Sequence, residues 1–390
     1  MSDRLAGGTG TSLIGGAEAR ASRSLAVLLI PIAAVGAVLA LVPLWLGGSR
    51  VLMGVAVLGL AYACYTIGFN VIFGSTGQLF LCVGALAGIG GYGGAILADT
   101  VGLPIVVSIL VATLAATVMG GLLSFVAVRR SLGVIFTGIV TLIFSLSFDA
   151  LVLGLSDLTG GDTGRLIKSG ADTFLRDKIP PYYLMLTLVL VFLLVHGLLR
   201  RSHVGWAFRA LRDDEVAAEL AGVDVARYRV YAALLGAAML GLAGSTYAFT
   251  EGRISPTTYG FGEVDVVVVV MLAFGGIGTL FGPIVGAVTF TIVDEVLIEF
   301  GQLRQVAYGI LIIVLFLRMP RGVIPTVASL WRRVRGRGGP STPLRAGSGA
   351  AKSTPLGGAS PPLRSEDLRQ AADSAAGKLE AVSGEAQSAE

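Results

Sequence analysis

Charged side chains are scarce in this chain of 390 residues: Asp, Glu, Lys and Arg make up 14% of it, against 54% hydrophobic residues. A soluble domain averages about 25% charged residues, and a soluble chain of this length needs them to cover its surface. The shortage is uneven. Residues 321–390 hold 16 of the 54 charges, 10 basic and 6 acidic, which leaves 38 for the first 320 residues. With a mean hydropathy of +0.81, this excludes a water-soluble enzyme and a disordered chain, and leaves an all-α polytopic membrane protein. The net charge of +4 is too small to argue for a nucleic-acid partner. Cysteine is nearly absent. Cys64 and Cys82 both lie in apolar runs and give neither a disulfide framework nor a metal spacing. Two histidines, His196 and His203, are too few for a metal centre. No Gly-x-x-x-x-Gly-Lys-Ser/Thr loop for cradling phosphates occurs, and no Ser/His/Asp or Cys/His set emerges.

Long apolar runs are what the chain does have. A helix crossing a hydrocarbon core of roughly 30 Å needs about 20 apolar residues. Runs of this kind cover 24–46, 51–73, 79–97, 103–128, 134–155, 182–199, 229–249, 264–280, 283–300 and 304–319. Two of these ten are short or heavily broken by glycine, so eight to ten spans are expected. The first run follows a polar leader and lacks a small-x-small cleavage site before Arg50, so it reads as a span and not a signal peptide.

Orientation follows from the Lys/Arg bias. Ten spans place the leader, Arg129–Arg130, the 200–228 loop and the tail on one side, with 21 basic residues when Arg229 is included. Seven remain opposite: Arg50, Arg165, Lys168, Arg176, Lys178, Arg253 and Arg304. The bias predicts cytoplasmic termini. Residues 1–23 read as a disordered leader and 323–390 as a largely disordered cytoplasmic tail, around a transmembrane domain at 24–322. Within the tail, Leu368, Ala372, Ala375, Leu379 and Val382 have helical spacing, so a short surface helix stands beside the solvated reading.

Glycine is the architectural signal. There are 55, about twice the usual share of roughly 7%. Small residues let membrane helices approach closely, but two clusters exceed that need. One is Gly74-Ser75-Thr76-Gly77-Gln78; the other is Gly275-Gly276-Ile277-Gly278-Thr279-Leu280-Phe281-Gly282-Pro283. Broken backbone at membrane depth is tolerated only where protein or a watery cavity satisfies it. Paired interruptions in two halves of a transporter point to its substrate pathway. Tight turns at the membrane surface are the plainer alternative.

The densest charge before the tail lies in the 200–228 loop. Good helix formers from Trp206 to Leu220 stop at Gly222, which suits a helix C-cap. Either a docking helix for a soluble partner or a solvated connector accounts for it. The pattern Ser202-x-x-Gly205, Arg209-Ala210-x-Arg212-Asp213-x-Glu215-x-Ala217-Ala218-x-x-x-Gly222 resembles the coupling loop of LivM-like permease subunits of branched-chain amino acid ATP-binding-cassette importers. The general importer form is Glu-Ala-Ala-x-x-x-Gly; here Glu215 is displaced by one position. Ordered matches extend the resemblance over 50–322: Gly74-x-Thr76-Gly77-Gln78, Thr141-Leu142, Leu158-Thr159-Gly160-Gly161-x-x-Gly164, Gly241-Leu242-Ala243-Gly244, Gly252-x-Ile254-x-Pro256, the 275–287 glycine run, and Pro320-Arg321-Gly322.

The resemblance implies an importer permease fold in the bacterial plasma (inner) membrane, and no ATPase site or cofactor on this chain. ATP would be bound by two cytoplasmic ATPase partners; a second permease subunit and an extracytoplasmic substrate-binding protein complete the assembly. Arg209, Ala210, Arg212, Asp213, Asp214, Glu215, Ala217, Ala218 and Gly222 would couple to an ATPase. Gly74, Thr76, Gly77, Gln78, Thr141, Asp149, Gly275, Gly276, Gly278 and Thr279 would lie on the pathway. Thr159, Gly160 and Gly161, in the 156–181 loop with four basic residues, would meet the binding protein. The chain departs from the family where serine and histidine commonly follow Gly-Gln-Leu: Phe80 and Val83 stand there. Leu146 and Asp149 replace a usual glutamate and arginine after the Thr-Leu pair. The implied cargo is a branched-chain amino acid or a related small polar solute, with urea or amides as an alternative.

Other chemistry is thinly represented. Asp149 lies inside the fifth run, where an acid is costly and so a functional candidate. Asp294 and Glu295 are adjacent and face different sides of a helix. Trp206 and Tyr182–Tyr183 suit interfacial anchoring. A stand-alone secondary transporter or channel would use the broken helices and Asp149 but leave the 202–224 segment without a role. A structural scaffold would need no broken helices.

Overall fold

Two helices show why the fold belongs in lipid. From Ile105 to Arg129, Ser108, Ala112, Ala116, Gly120, Ser124 and Ala127 are buried, while Leu110, Leu114, Val118, Leu122 and Phe125 are exposed. From Val134 to Gly154, Thr137, Thr141 and Ser145 are buried, while Ile135, Phe136, Ile139 and Ile143 are exposed. Small and polar residues inside with large apolar ones outside would be unstable in water. In a bilayer the pattern is favourable, because packing and internal hydrogen bonds hold the helices together.

The computed structural model describes residues 28–46, 48–168 and 179–298, with 309, 313, 322–324 and 326. Its helices are α1 (Leu28–Trp45), α2 (Arg50–Phe69, continued by a π turn Asn70–Gly74), α3 (Val83–Thr100), α4 (Ile105–Arg129), α5 (Val134–Gly154), α6 (Ile179–Arg201), α7 (His203–Asp213), α8 (Glu215–Leu220), α9 (Val225–Glu251), α10 (Val266–Gly275) and α11 (Gly282–Ile298). A two-stranded antiparallel ribbon pairs Arg165–Leu166 with Arg253–Ile254. Among the described residues, six helices, α1, α2, α4, α5, α6 and α9, are long and apolar enough to cross a membrane. The chain is an all-α polytopic membrane protein.

The remaining apolar runs take other forms. The 79–97 run becomes an irregular stretch at 79–82 followed by α3. The 264–280 run is a π turn (Phe261–Asp265) and the ten-residue α10, which stops at Gly276. The 283–300 run is the 17-residue α11. The 304–319 run lies outside the described residues apart from 309 and 313, as do the leader and the tail with its 365–382 segment.

Helix α9 is the hub. Its most apolar window is 78% buried, against 28% for α4 and α5 and 22% for α1. It packs on α4, α3 and α2. A Cβ at Gly90 of α3 would run into the Gly241 carbonyl, and one at Gly244 into that of Ala87. The two backbones therefore touch, which glycine alone permits. Helix α9 runs antiparallel to α2 and α4: α2 and α4 finish, and α9 starts, at the end carrying α7 and α8. That end is called the loop end, and the other, carrying the ribbon, the far end.

Candidate functional site

The two glycine clusters meet each other at the loop end. Asn70, fully buried in the π turn of α2, donates from Nδ2 to the Thr279 carbonyl at 2.9 Å, and its Oδ1 accepts the Gly278 N–H at 2.8 Å. One amide thus clamps the two segments, as a backbone pair would in a sheet. Thr279 Oγ1 donates to the Gly276 carbonyl at 2.7 Å and accepts the Gly282 N–H at 3.0 Å. The turn between α10 and α11 so satisfies its own backbone. Gly275 and Gly276 are buried within it.

A third group closes the junction. Arg212 of α7 donates from Nη1 to the Gly74 carbonyl at 2.9 Å. Gly278 sits at φ +71, and a Cβ there would run into the same guanidinium and lie close to the Gly74 carbonyl. One contact therefore joins the surface loop to both broken helices.

The rest of the loop is built to present α7 and α8. Ser202 caps α7 by accepting the Gly205 N–H at 3.2 Å, and Phe208 and Leu211 are its buried anchors. The single helix expected from Trp206 to Leu220 is two. Asp214, in extended conformation, breaks it and caps α8 by accepting the Ala217 N–H at 3.0 Å. A side-chain oxygen offered to free N–H groups stabilises a new helix start better than continuation of the old one. Gly222, at φ +85, follows the C-cap residue Ala221 of α8. Ala218 is buried, whereas Ala210, Asp213, Ala217, Val216 and Leu220 are exposed. The Arg209 guanidinium lies 4.4 Å from the ring centroid of exposed Trp206, a cation–π pair. Glu215 pairs with Arg229 of α9 at 2.8 Å.

Deeper in the bundle, α5 presents three polar residues one turn apart, two holding irregular backbone and one the Asp265 side chain. Thr141 Oγ1 accepts the Leu81 N–H at 2.9 Å. Ser145 Oγ donates to Asp265 Oδ2 at 2.8 Å. Asp149 Oδ2 accepts the Phe261 N–H at 3.1 Å. Asp265 is fully buried, and its Oδ1 accepts the Gly84 N–H at 3.1 Å, at the start of α3. The ten residues of α10 set Asp265 about 15 Å from Gly275, near half the thickness of a hydrocarbon core. The positive end of the α3 dipole and two donors make that depth acceptable for a carboxylate.

Other residues expected on the pathway are hydrogen-bonded within the bundle. Thr76 Oγ1 donates to the Ile72 carbonyl at 2.7 Å, and Gln78 exchanges hydrogen bonds with Ser124 of α4 at 3.1 and 3.2 Å. Gly77, at φ +72, turns the chain between them. At the far end, Thr159 is buried, donating to the Val152 and Leu155 carbonyls at 2.6 and 2.9 Å, so it shapes the loop. Gly160 and Gly161 follow it in left-handed conformation, with Gly160 against Gly164. Asp99 meets Arg165 at 3.7 Å beside the ribbon. Asn70, Ser145 and Asp265 were not expected from the sequence. The rule that marked Asp149, a polar group inside an apolar run, would have found Asn70; Asp265 escapes it because it stands at the edge of the Val266–Val270 run. Among the described residues, no three His, Cys, Asp or Glu side chains come together as a metal site.

Long lipid-facing helices around discontinuous ones, with polar side chains holding the breaks at membrane depth, define a multi-pass transport protein. The chain belongs to the family described as "Branched-chain amino acid transport system / permease component", which matches residues 51–319. The high-affinity branched-chain amino acid transport system permease protein LivM of Escherichia coli (strain K12) is 30% identical over 303 residues, 71% of this chain and 71% of that protein. The protein of the same name from Salmonella typhimurium matches to the same extent. The fructose import permease protein FrcC of Rhizobium meliloti is 31% identical over 139 residues, 34% of this chain and 39% of that protein. No solved structure matches.

Proposed function

We propose that this chain is one of two permease subunits of an ATP-driven importer in a bacterial inner membrane, with both termini cytoplasmic. Its α7–α8 element docks on a cytoplasmic ATPase, and the ribbon end receives cargo from a soluble binding protein. The cargo is a small aliphatic amino acid, with urea-like amides as the alternative within the family. The contact that supports this reading best is Arg212 on the Gly74 carbonyl, because it joins the surface element to both broken helices at once. A solvated connector has no use for such a bond. Movement of α7 would load or release the Asn70–Gly278 clamp directly. Trp206, Val216 and Leu220 are exposed beside it and offer apolar contacts to a partner.

The test is ATP-driven leucine uptake by the reconstituted assembly. Gly222→Asp, which adds a charge and a side chain at a left-handed position, should leave insertion intact and lower uptake per ATP hydrolysed at least tenfold. Uptake by the purified chain alone, driven by an ion gradient, would establish a secondary transporter instead.

A further inference from the structure

A cleft of about 360 Å³ opens on the far-end side of Asp265, between α2, α9 and the irregular segment at 256–264. Its polar wall is Tyr62 and Tyr65 of α2, Tyr247 of α9, and Thr257, Thr258 and Glu263. Among the described residues, Glu263 is the one charged residue in this lining, and no Lys, Arg or His belongs to it. Tyr62 is oriented by donating to the Glu263 carbonyl at 3.1 Å. Tyr65 is only 2% exposed, yet its hydroxyl has no hydrogen-bond partner among the described residues. A buried hydroxyl left without a partner is unfavourable, and here it belongs to a side chain lining a cleft large enough for a small solute.

We infer that this cleft is a binding site for a small solute carrying a primary ammonium group, such as an amino acid. The chemistry is selective. A carboxylate together with tyrosine rings attracts a cation, by charge and by the negative ring faces. With no cation in the lining among the described residues, a bare anion would find hydrogen-bond donors but no opposite charge. The Tyr65 hydroxyl and the two threonines can hydrogen-bond a carboxylate or amide end, and Leu58 and Val264 give an apolar wall for an aliphatic side chain. Glu263 is exposed, at the surface of the bundle. The site rests on the import reading for its place in a transport cycle, while binding itself needs no ATPase.

The test uses the purified full chain in lipid nanodiscs with three probes: L-leucine, leucinamide, which lacks the carboxylate, and 4-methylpentanoate, which lacks the ammonium. Leucine and leucinamide should bind saturably, and 4-methylpentanoate at least tenfold more weakly. Glu263→Gln should weaken both ammonium ligands about tenfold, the scale of a lost charge-assisted hydrogen bond, with an unchanged thermal unfolding midpoint. Tyr65→Phe should weaken leucine about threefold to tenfold. The inference is overturned if 4-methylpentanoate binds as well as leucine, if Glu263→Gln keeps wild-type affinity, or if nothing saturates at millimolar concentration. Binding without ATP-driven uptake by the assembly would sink the import reading and leave the site standing. Uptake without binding to the wild-type chain would do the reverse.

Discussion

The loop-end junction and the mid-depth anchor solve the same problem with different partners. Both hold broken backbone at or near membrane depth by means of polar side chains. At mid-depth every bond comes from within the bundle: Ser145 of α5 and Asp265 before α10 are buried, and Asp149 of α5 is half-buried. At the loop end one bond comes from outside it, through Arg212 of α7. A bond supplied by a surface helix can be made and released without opening the core. The first arrangement is suited to a fixed anchor and the second to a movable one.

Removing the carboxylate at the fixed anchor should have the largest effect. Asp265→Ala leaves the Gly84 N–H and the Ser145 hydroxyl buried without an acceptor, at a cost of about 3 kcal/mol or more. Thermal unfolding of the purified chain should show it, and Asp265→Asn, which keeps an acceptor, should recover part of the loss. An unshifted midpoint for the alanine variant would remove the fixed half of the comparison. Next comes the clamp: Asn70→Ala should destabilise by about 1–3 kcal/mol, because it strands the Gly278 N–H. The movable anchor should behave differently. Arg212→Ala should change the unfolding midpoint by less than the clamp variant, while lowering uptake per ATP hydrolysed about tenfold, a shift of about 1.4 kcal/mol in coupling. If Arg212→Ala lost stability and coupling in proportion, both anchors would be fixed. The smallest effect belongs to Glu215→Gln. Its pair with Arg229 is partly exposed, so about 0.5 kcal/mol is expected, and it should vanish in high salt.

The membrane class and most spans were legible in the sequence because lipid imposes one rule, about twenty apolar residues per crossing. The rule fails where the chain departs from a straight helix. The 264–280 run has the composition of a span, yet Gly276 ends α10 after ten residues. Hydropathy counts apolar atoms and does not register a left-handed glycine. The glycine clusters were visible as interruptions, but the residue joining them was not. Asn70 and Gly278 are separated by 208 positions, and nothing local marks such a pair. Within the 200–228 loop, the resemblance located the segment, whereas the break at Asp214 came from a capping preference that competes with helix propensity. Thr76 and Gln78 were placed on the pathway by the resemblance, and the structure adds what holds them, the Ile72 carbonyl and Ser124 of α4.

The backbone contact between α3 and α9 has a mechanical consequence. Side-chain layers let packed helices slide by exchanging rotamers, but Gly90 against Gly241 and Gly244 against Ala87 leave no such layer. The two helices should therefore travel as one beam. That beam begins beside Asp265 through α3 and follows the α7–α8 loop through α9, and it ends next to the ribbon. A push received at one membrane face would then reach the other in step, with its timing set by the stiffness of two joined helices.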